Sequence, residues 1–192
     1  MKLTTRPARR GLAACAVGCA AILIPTAALA APGGRAAARP GTAAAPGCAT
    51  GALTVWLGIP GDGAAGSTSY QLELSNTSGK TCTLYGFPGV SAVGTGGRQL
   101  GVAASRDYAD PVRLVTLRRG ATAHVLLKIV DVGNFPPASC HPATAVALRV
   151  YPPNDRRSVE VPFSFQGCGK SGPVFLYVRT TAGGTGVPGF SS

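Results

Sequence analysis

The longest alternating run of the chain is Ala121 to Asp131, with Ala123, Val125, Leu127 and Ile129 on one side and Thr122, His124 and Lys128 on the other. A period of two marks a strand with one buried face, since successive side chains leave a strand in opposite directions. The same pattern returns along most of the chain. Leu53, Val55 and Leu57 oppose Thr54 and Trp56; Tyr70, Leu72 and Leu74 oppose Gln71 and Glu73. Val90 to Val93 and Gln99 to Ala103 flank Gly94-Thr95-Gly96-Gly97 and read as a hairpin. Val112 to Leu117, then Val146, Leu148 and Val150, then Val159, Val161, Phe163 and Phe165, and finally Val174, Leu176 and Val178 complete the series. No segment between Cys48 and Thr180 carries a sustained helical stripe. About eight or nine short strands separated by turn signals predict an all-β fold, an immunoglobulin-like β-sandwich. The 145 residues from Cys48 onward suffice for one core.

The first thirty residues belong to a different physical class. Lys2, Arg6, Arg9 and Arg10 precede an apolar run from Gly11 to Ile24, Pro25 breaks it, and Ala28-Leu29-Ala30 supplies a small-x-small cleavage pattern. Residues 1–30 are therefore expected to be a signal peptide cut after Ala30. The run of fourteen apolar residues is short of the ~20 that span a bilayer, so no transmembrane span is expected after cleavage. Arg9-Arg10 loosely resembles a twin-arginine signal. Leu12-Ala13-Ala14-Cys15 imitates a lipoprotein box but follows too short an apolar stretch for lipidation, and Cys19 fares little better. Residues 31–47 form an Ala/Pro/Gly linker, 48–180 the sandwich, and 181–192 a flexible tail.

Export bears on the cysteines. Cys48, Cys82, Cys140 and Cys168 remain after cleavage, and an even number in an exported chain predicts two disulfides. Spacing alone leaves three connectivities open. A metal site is disfavoured, because there is no Cys-x-x-Cys and neither histidine sits at ligand spacing from a cysteine.

The net charge of +11 overstates the basicity of the domain. From Cys48 onward there are twelve basic and seven acidic residues, a mild excess that favours solubility and weak attraction to polyanions. The arginines are dispersed, pairing only at Arg118-Arg119 and Arg156-Arg157, so specific nucleic-acid binding is not expected.

Several segments together resemble a known family. They are the Cys48 start, Ser75-Asn76-Thr77-Ser78 leading to Cys82-Thr83-Leu84-Tyr85-Gly86-Phe87-Pro88-Gly89-Val90, and Leu148-Arg149-Val150-Tyr151-Pro152-Pro153-Asn154. Gly101 with Ala103-Ala104-Ser105-Arg106-Asp107, and Pro162-Phe163 before Cys168, fit the same pattern. The chain resembles the secreted actinobacterial "domain of unknown function 4232" over about Cys48 to Val178. The resemblance implies a secreted or envelope β domain and favours sequential disulfide pairing, Cys48 with Cys82 and Cys140 with Cys168. It brings no catalytic residues with it. Physically, Tyr-Gly-Phe-Pro-Gly reads as turn chemistry beside a disulfide, and Tyr-Pro-Pro-Asn as a strand end.

Catalytic sets are hard to assemble. His124 falls on the solvent face of its strand and His141 lies in a loop between Cys140 and Pro142, without a Gly-x-Ser-x-Gly elbow for either. Asp107 and Asp110 suit turn capping better than cation binding. Gly94 to Gly97 lacks the lysine and helix of a phosphate loop. No cofactor or metal is expected. The alternation points Trp56, Arg149, Tyr151, Phe175, Tyr177 and Arg179 away from the aliphatic side, and aromatics with arginine are enriched at binding surfaces. The expectation is a secreted or envelope-associated, non-enzymatic module binding an envelope polymer or another extracytoplasmic protein through that face. The alternative is an unrecognised extracytoplasmic enzyme or enzyme accessory domain using Asp107, Asp110 or His141.

Overall fold

The computed structural model describes residues 44–64, 66–169 and 172–186. The expected signal peptide, most of the linker and the last six residues lie outside them.

The alternating run at Ala121–Asp131 becomes β8 (Thr122–Val130), whose side chains alternate between buried and half-buried along its whole length. It is central to the larger sheet, in the order β1 (Leu53–Ala64), β2 (Ser67–Asn76), β8, β11 (Leu176–Val178), β6 (Ser105–Arg106), with β12 (Ala182–Gly183) continuing along β8 beyond β11. Pairing is antiparallel except between β6 and β11. The second sheet runs β10 (Val159–Cys168), β9 (Pro142–Tyr151), β4 (Gly89–Gly94), β5 (Gln99–Leu100). A separate two-stranded ladder joins β3 (Cys82–Tyr85) to β7 (Leu114–Leu117).

Leu72, Leu74, Val125 and Leu127 from the first sheet, Val90, Ala92, Leu148, Val150 and Val161 from the second, and Leu84 and Leu117 from the ladder share one core. This is the expected all-β sandwich. Among the described residues the strands number twelve rather than eight or nine, the additional ones being β3, β6 and β12, each of four residues or fewer. The Gly94–Gly97 hairpin forms as expected, with Gly96 and Gly97 both at positive φ, a conformation that residues with a Cβ rarely adopt.

The two disulfides are Cys48–Cys82 and Cys140–Cys168, the sequential pairing that the resemblance favoured. The first fastens the start of the domain to β3, where Gly47 also bridges Thr83. The second ties the last residue of a one-turn helix, Pro137–Cys140, to the end of β10.

Three expectations need correction. Val146 does not share the buried face of Leu148 and Val150: it bulges out of β9 where the β4 register shifts, and Ala145 takes the buried place. Gln71 and Glu73 point outward from β2 as expected, yet both are buried. The ordered domain also runs past Thr180. Thr181 is buried, β12 follows, and residues 184–186 leave β12 to lie across the outer face of the large sheet, hydrogen-bonded to β8 and β2. That strap is what covers Glu73.

Candidate functional site

The six residues expected on one face do not form one. Trp56, on β1, is 40% exposed and donates its indole N–H to Ser75 Oγ at 3.5 Å. Tyr177 lies on the same outer face but on β11, three strand spacings (about 14 Å) across the sheet and four residues further along it. Its ring sits under the Lys128 ammonium, 4.7 Å from the centroid. Arg149 and Tyr151 point outward too, but from β9 in the other sheet, on the opposite side of the sandwich. Arg149 is held there by Glu160 at 2.9 Å and by the Gly97 carbonyl at 2.9 Å. Phe175 is the clear correction. It is fully buried, because Gly167 on β10 leaves a gap that its ring fills; a Cβ at position 167 would come within 3.0 Å of the ring.

Arg179 belongs to a different constellation, a cleft of about 560 Å³ on the outer face of the large sheet. Gln71 from β2, His124 and Leu126 from β8, and Ala182 from β12 make its floor; the segment Asp110–Thr116 supplies a wall. Arg179 stands between them. Its guanidinium donates from Nε to Asp107 Oδ2 at 3.3 Å and from Nη1 to Asp110 Oδ2 at 3.4 Å. Asp107 also caps the turn ahead of Ala109 through a 3.1 Å bond from the Ala109 N–H. The two aspartates considered for an enzyme therefore neutralise an arginine. His141 lies elsewhere, in left-handed conformation at the end of the short helix beside its disulfide.

The strap borders the cleft. His124 Nδ1 lies 2.9 Å from the Gly184 carbonyl, and because a carbonyl only accepts, Nδ1 carries the proton and Nε2 is left as the acceptor in the neutral ring. Glu73 accepts the Gly186 N–H at Oε1, at 2.8 Å, while its buried Oε2 has no hydrogen-bond partner among the described residues. A Cβ at position 186 would fall 2.5 Å from Gln71 Oε1, so any larger residue there would displace the Gln71 side chain. Burial pushes the Glu73 carboxyl above the usual carboxylate range, against the opposing pull of the Gly186 N–H and the neighbouring His124.

That shift gives a testable sign. A carboxyl with a raised folded value binds its proton more tightly in the native state. The native state is thus favoured below the unfolded value, and the benefit is lost as pH rises through the folded one. Glu73→Gln keeps an oxygen for Gly186 and removes the desolvated charge. Its Tm should exceed that of the parent by on the order of 3 °C at pH 8, with the gap closing below pH 4. A lower Tm at pH 8 would mean that the charge itself holds the strap.

The cleft was not legible as a unit. No sequence motif links Gln71, Arg113, Leu114, Leu126 and Ala182, because they lie on four separate segments. One available signal was Ala182-Gly183-Gly184-Thr185-Gly186, a glycine run able to lie flat on a sheet. Among the described residues no group of three or more His, Cys, Asp or Glu side chains could hold a metal ion, and no helix is long and apolar enough to cross a membrane. The two disulfides are compatible with an extracytoplasmic location.

No curated protein and no solved structure matches the chain. The model of one family, described as a domain of unknown function (DUF4232), matches residues 48–182, from the first disulfide cysteine to the first residue of β12, and the chain belongs to that family.

Proposed function

We propose that the protein is a non-catalytic extracytoplasmic binding module whose ligand lies in the cleft between Asp110–Thr116 and the outer face of the large sheet. The observation that carries this reading is a preformed concavity with an apolar lining, Leu114, Leu126, Pro111 and Ala182, and a few fixed polar groups, Arg179, His124 and Gln71. Leu114 is 64% exposed, an apolar side chain left in water beside an apolar hollow. The carboxylates of Asp107 and Asp110 are committed to Arg179, which supports positioning a ligand over transferring protons. The apolar leader, the cleavage pattern and the disulfides support placing that ligand outside the cytoplasm.

The test is co-sedimentation of the purified protein with isolated cell envelopes across a salt titration. Leu126→Glu sets a charge in the cleft floor and should lower retention at least 10-fold. Val146→Glu, on the opposite sheet, should leave retention unchanged. Retention lost equally in both variants, or lost at modest salt in the parent, would point to charge attraction alone and overturn the reading. Absence of retention in the parent would move the ligand from envelope polymer to another extracytoplasmic protein.

A further inference from the structure

The cleft wall contains a strand edge to which no strand is hydrogen-bonded among the described residues. In the β3–β7 ladder, Thr83 N–H bonds to the Pro46 carbonyl at 2.8 Å, and the Thr83 carbonyl accepts from Cys48 N–H at 2.9 Å. The backbone of Thr83 thus points away from β7. Hydrogen-bonded and non-bonded pairs alternate along an antiparallel ladder. The bonded pairs must then be Cys82 with Leu117 and Leu84 with Val115, while Thr83 faces Thr116 and Tyr85 faces Leu114 without bonds. The N–H and C=O groups of Leu114 and Thr116 consequently project from the far edge of β7, where no strand pairs with them among the described residues. Leu114, Val115 and Thr116 line the cleft in succession. Consecutive strand residues point to opposite faces, so three in a row reach one hollow only if the strand presents an edge. No residue of β3 lines it, so that edge is the open one.

Charge brackets this edge. Arg113 immediately precedes β7, and Arg118 and Arg119 immediately follow it. All three are exposed, and none has an ion pair among the described residues. The carboxylates nearest in sequence, Asp107 and Asp110, are taken by Arg179. Beside the edge stand Leu114 and its cross-strand neighbour Tyr85, which is 52% exposed. A second copy of the chain is a poor occupant, because antiparallel pairing of two β7 edges sets Arg113 against Arg118 and Arg119.

We propose that the open edge of β7 takes an extended acidic peptide segment of a partner protein as an added strand. Its carboxylates, about 17 Å apart, meet Arg113 at one end and Arg118 with Arg119 at the other, and an apolar side chain packs over Leu114 and Tyr85. Backbone bonds supply affinity and the arginines supply selection and register. This deepens the cleft reading and rests on it.

Fluorescence anisotropy of the full chain with a labelled Glu-Glu-Val-Thr-Val-Thr-Glu-Glu probe tests the proposal. Three relatives of the probe are needed: one with lysines for the glutamates, and two N-methylated on one or the other set of alternate amides. Saturable binding of the acidic probe is expected, at least 10-fold weaker with the lysine probe. One methylated probe should also lose at least 10-fold and the other should bind like the parent, since only alternate amides face β7. Arg113→Glu with Arg118→Glu, both exposed and checked for fold by circular dichroism, should reverse the preference between acidic and lysine probes. Equal binding of both methylated probes would mean polyanion attraction without a ladder and would overturn the proposal. So would failure of the acidic probe to bind. If that failure coexists with envelope retention that Leu126→Glu abolishes, strand addition falls while the cleft reading stands.

Discussion

Phe175→Ala is expected to destabilise the domain by about 3–5 kcal/mol, read as a shift in urea midpoint at unchanged m-value. The residue has no exposed surface, and its ring packs against Gly167 of β10 within the shared core. Truncation removes an entire aromatic ring from between the sheets. The backbone is held by the Val130 N–H to Phe175 carbonyl bond at 2.8 Å, so it is poorly placed to collapse into the cavity. A ring on the binding face that the alternation suggested would behave oppositely, with stability unchanged and ligand retention lost. A loss below about 1 kcal/mol, the range of ordinary surface changes, would contradict the burial described above.

Replacing Cys140 and Cys168 together by Ala should cost a similar amount, about 3.5 kcal/mol in the chain-entropy account of a loop of this length. The bond spans 28 residues and closes β9 and β10 at the end where the one-turn helix enters. Both cysteines are wholly buried, so alanine avoids leaving a serine hydroxyl without a partner. The Cys48–Cys82 pair, spanning 34 residues, should cost slightly more on loop length alone. The check is a pair of thermal melts, parent and variant, each with and without reductant. Reductant should lower the parent toward the variant if the remaining bond is protected, and below it if both bonds open. A variant that melts with the parent would show that strand pairing alone closes this end.

The strands that alternation exposes most clearly are those central to the large sheet. β8 and β2 each carry a clean period because one face meets the core. Where the period fails, a non-local cause is visible. Val146 leaves the face of Leu148 because β9 must accommodate a bulge against β4, whose sequence lies some fifty positions earlier. Outward directions were legible for Trp56, Arg149, Tyr151 and Tyr177. Their grouping was not, because alternation tells which side of its own strand a side chain takes, whereas sheet membership depends on which strands pair. β9 pairs with β4 and β11 with β8, and nothing local to Arg149 or Tyr177 encodes those partners. Glu73 shows the same limit. Its burial comes from residues 184–186, more than a hundred positions away in sequence, and a run of glycines gives no periodic trace of where it will lie.

The anchorage of the domain's first residues has a mechanical consequence. Cys48 is bonded to Cys82, and Gly47 and Pro46 lie along β3 through Thr83. A pull applied to the chain upstream of Pro46 loads that short three-residue contact and then a covalent bond. It does not peel β1 away from β2, because the tension passes into β3 before it can reach Leu53. Under oxidising conditions the sandwich therefore behaves as a fixed endpoint for any tether leading to it. Reduction would reroute the same tension into the β1–β2 ladder, which can unzip one pair at a time.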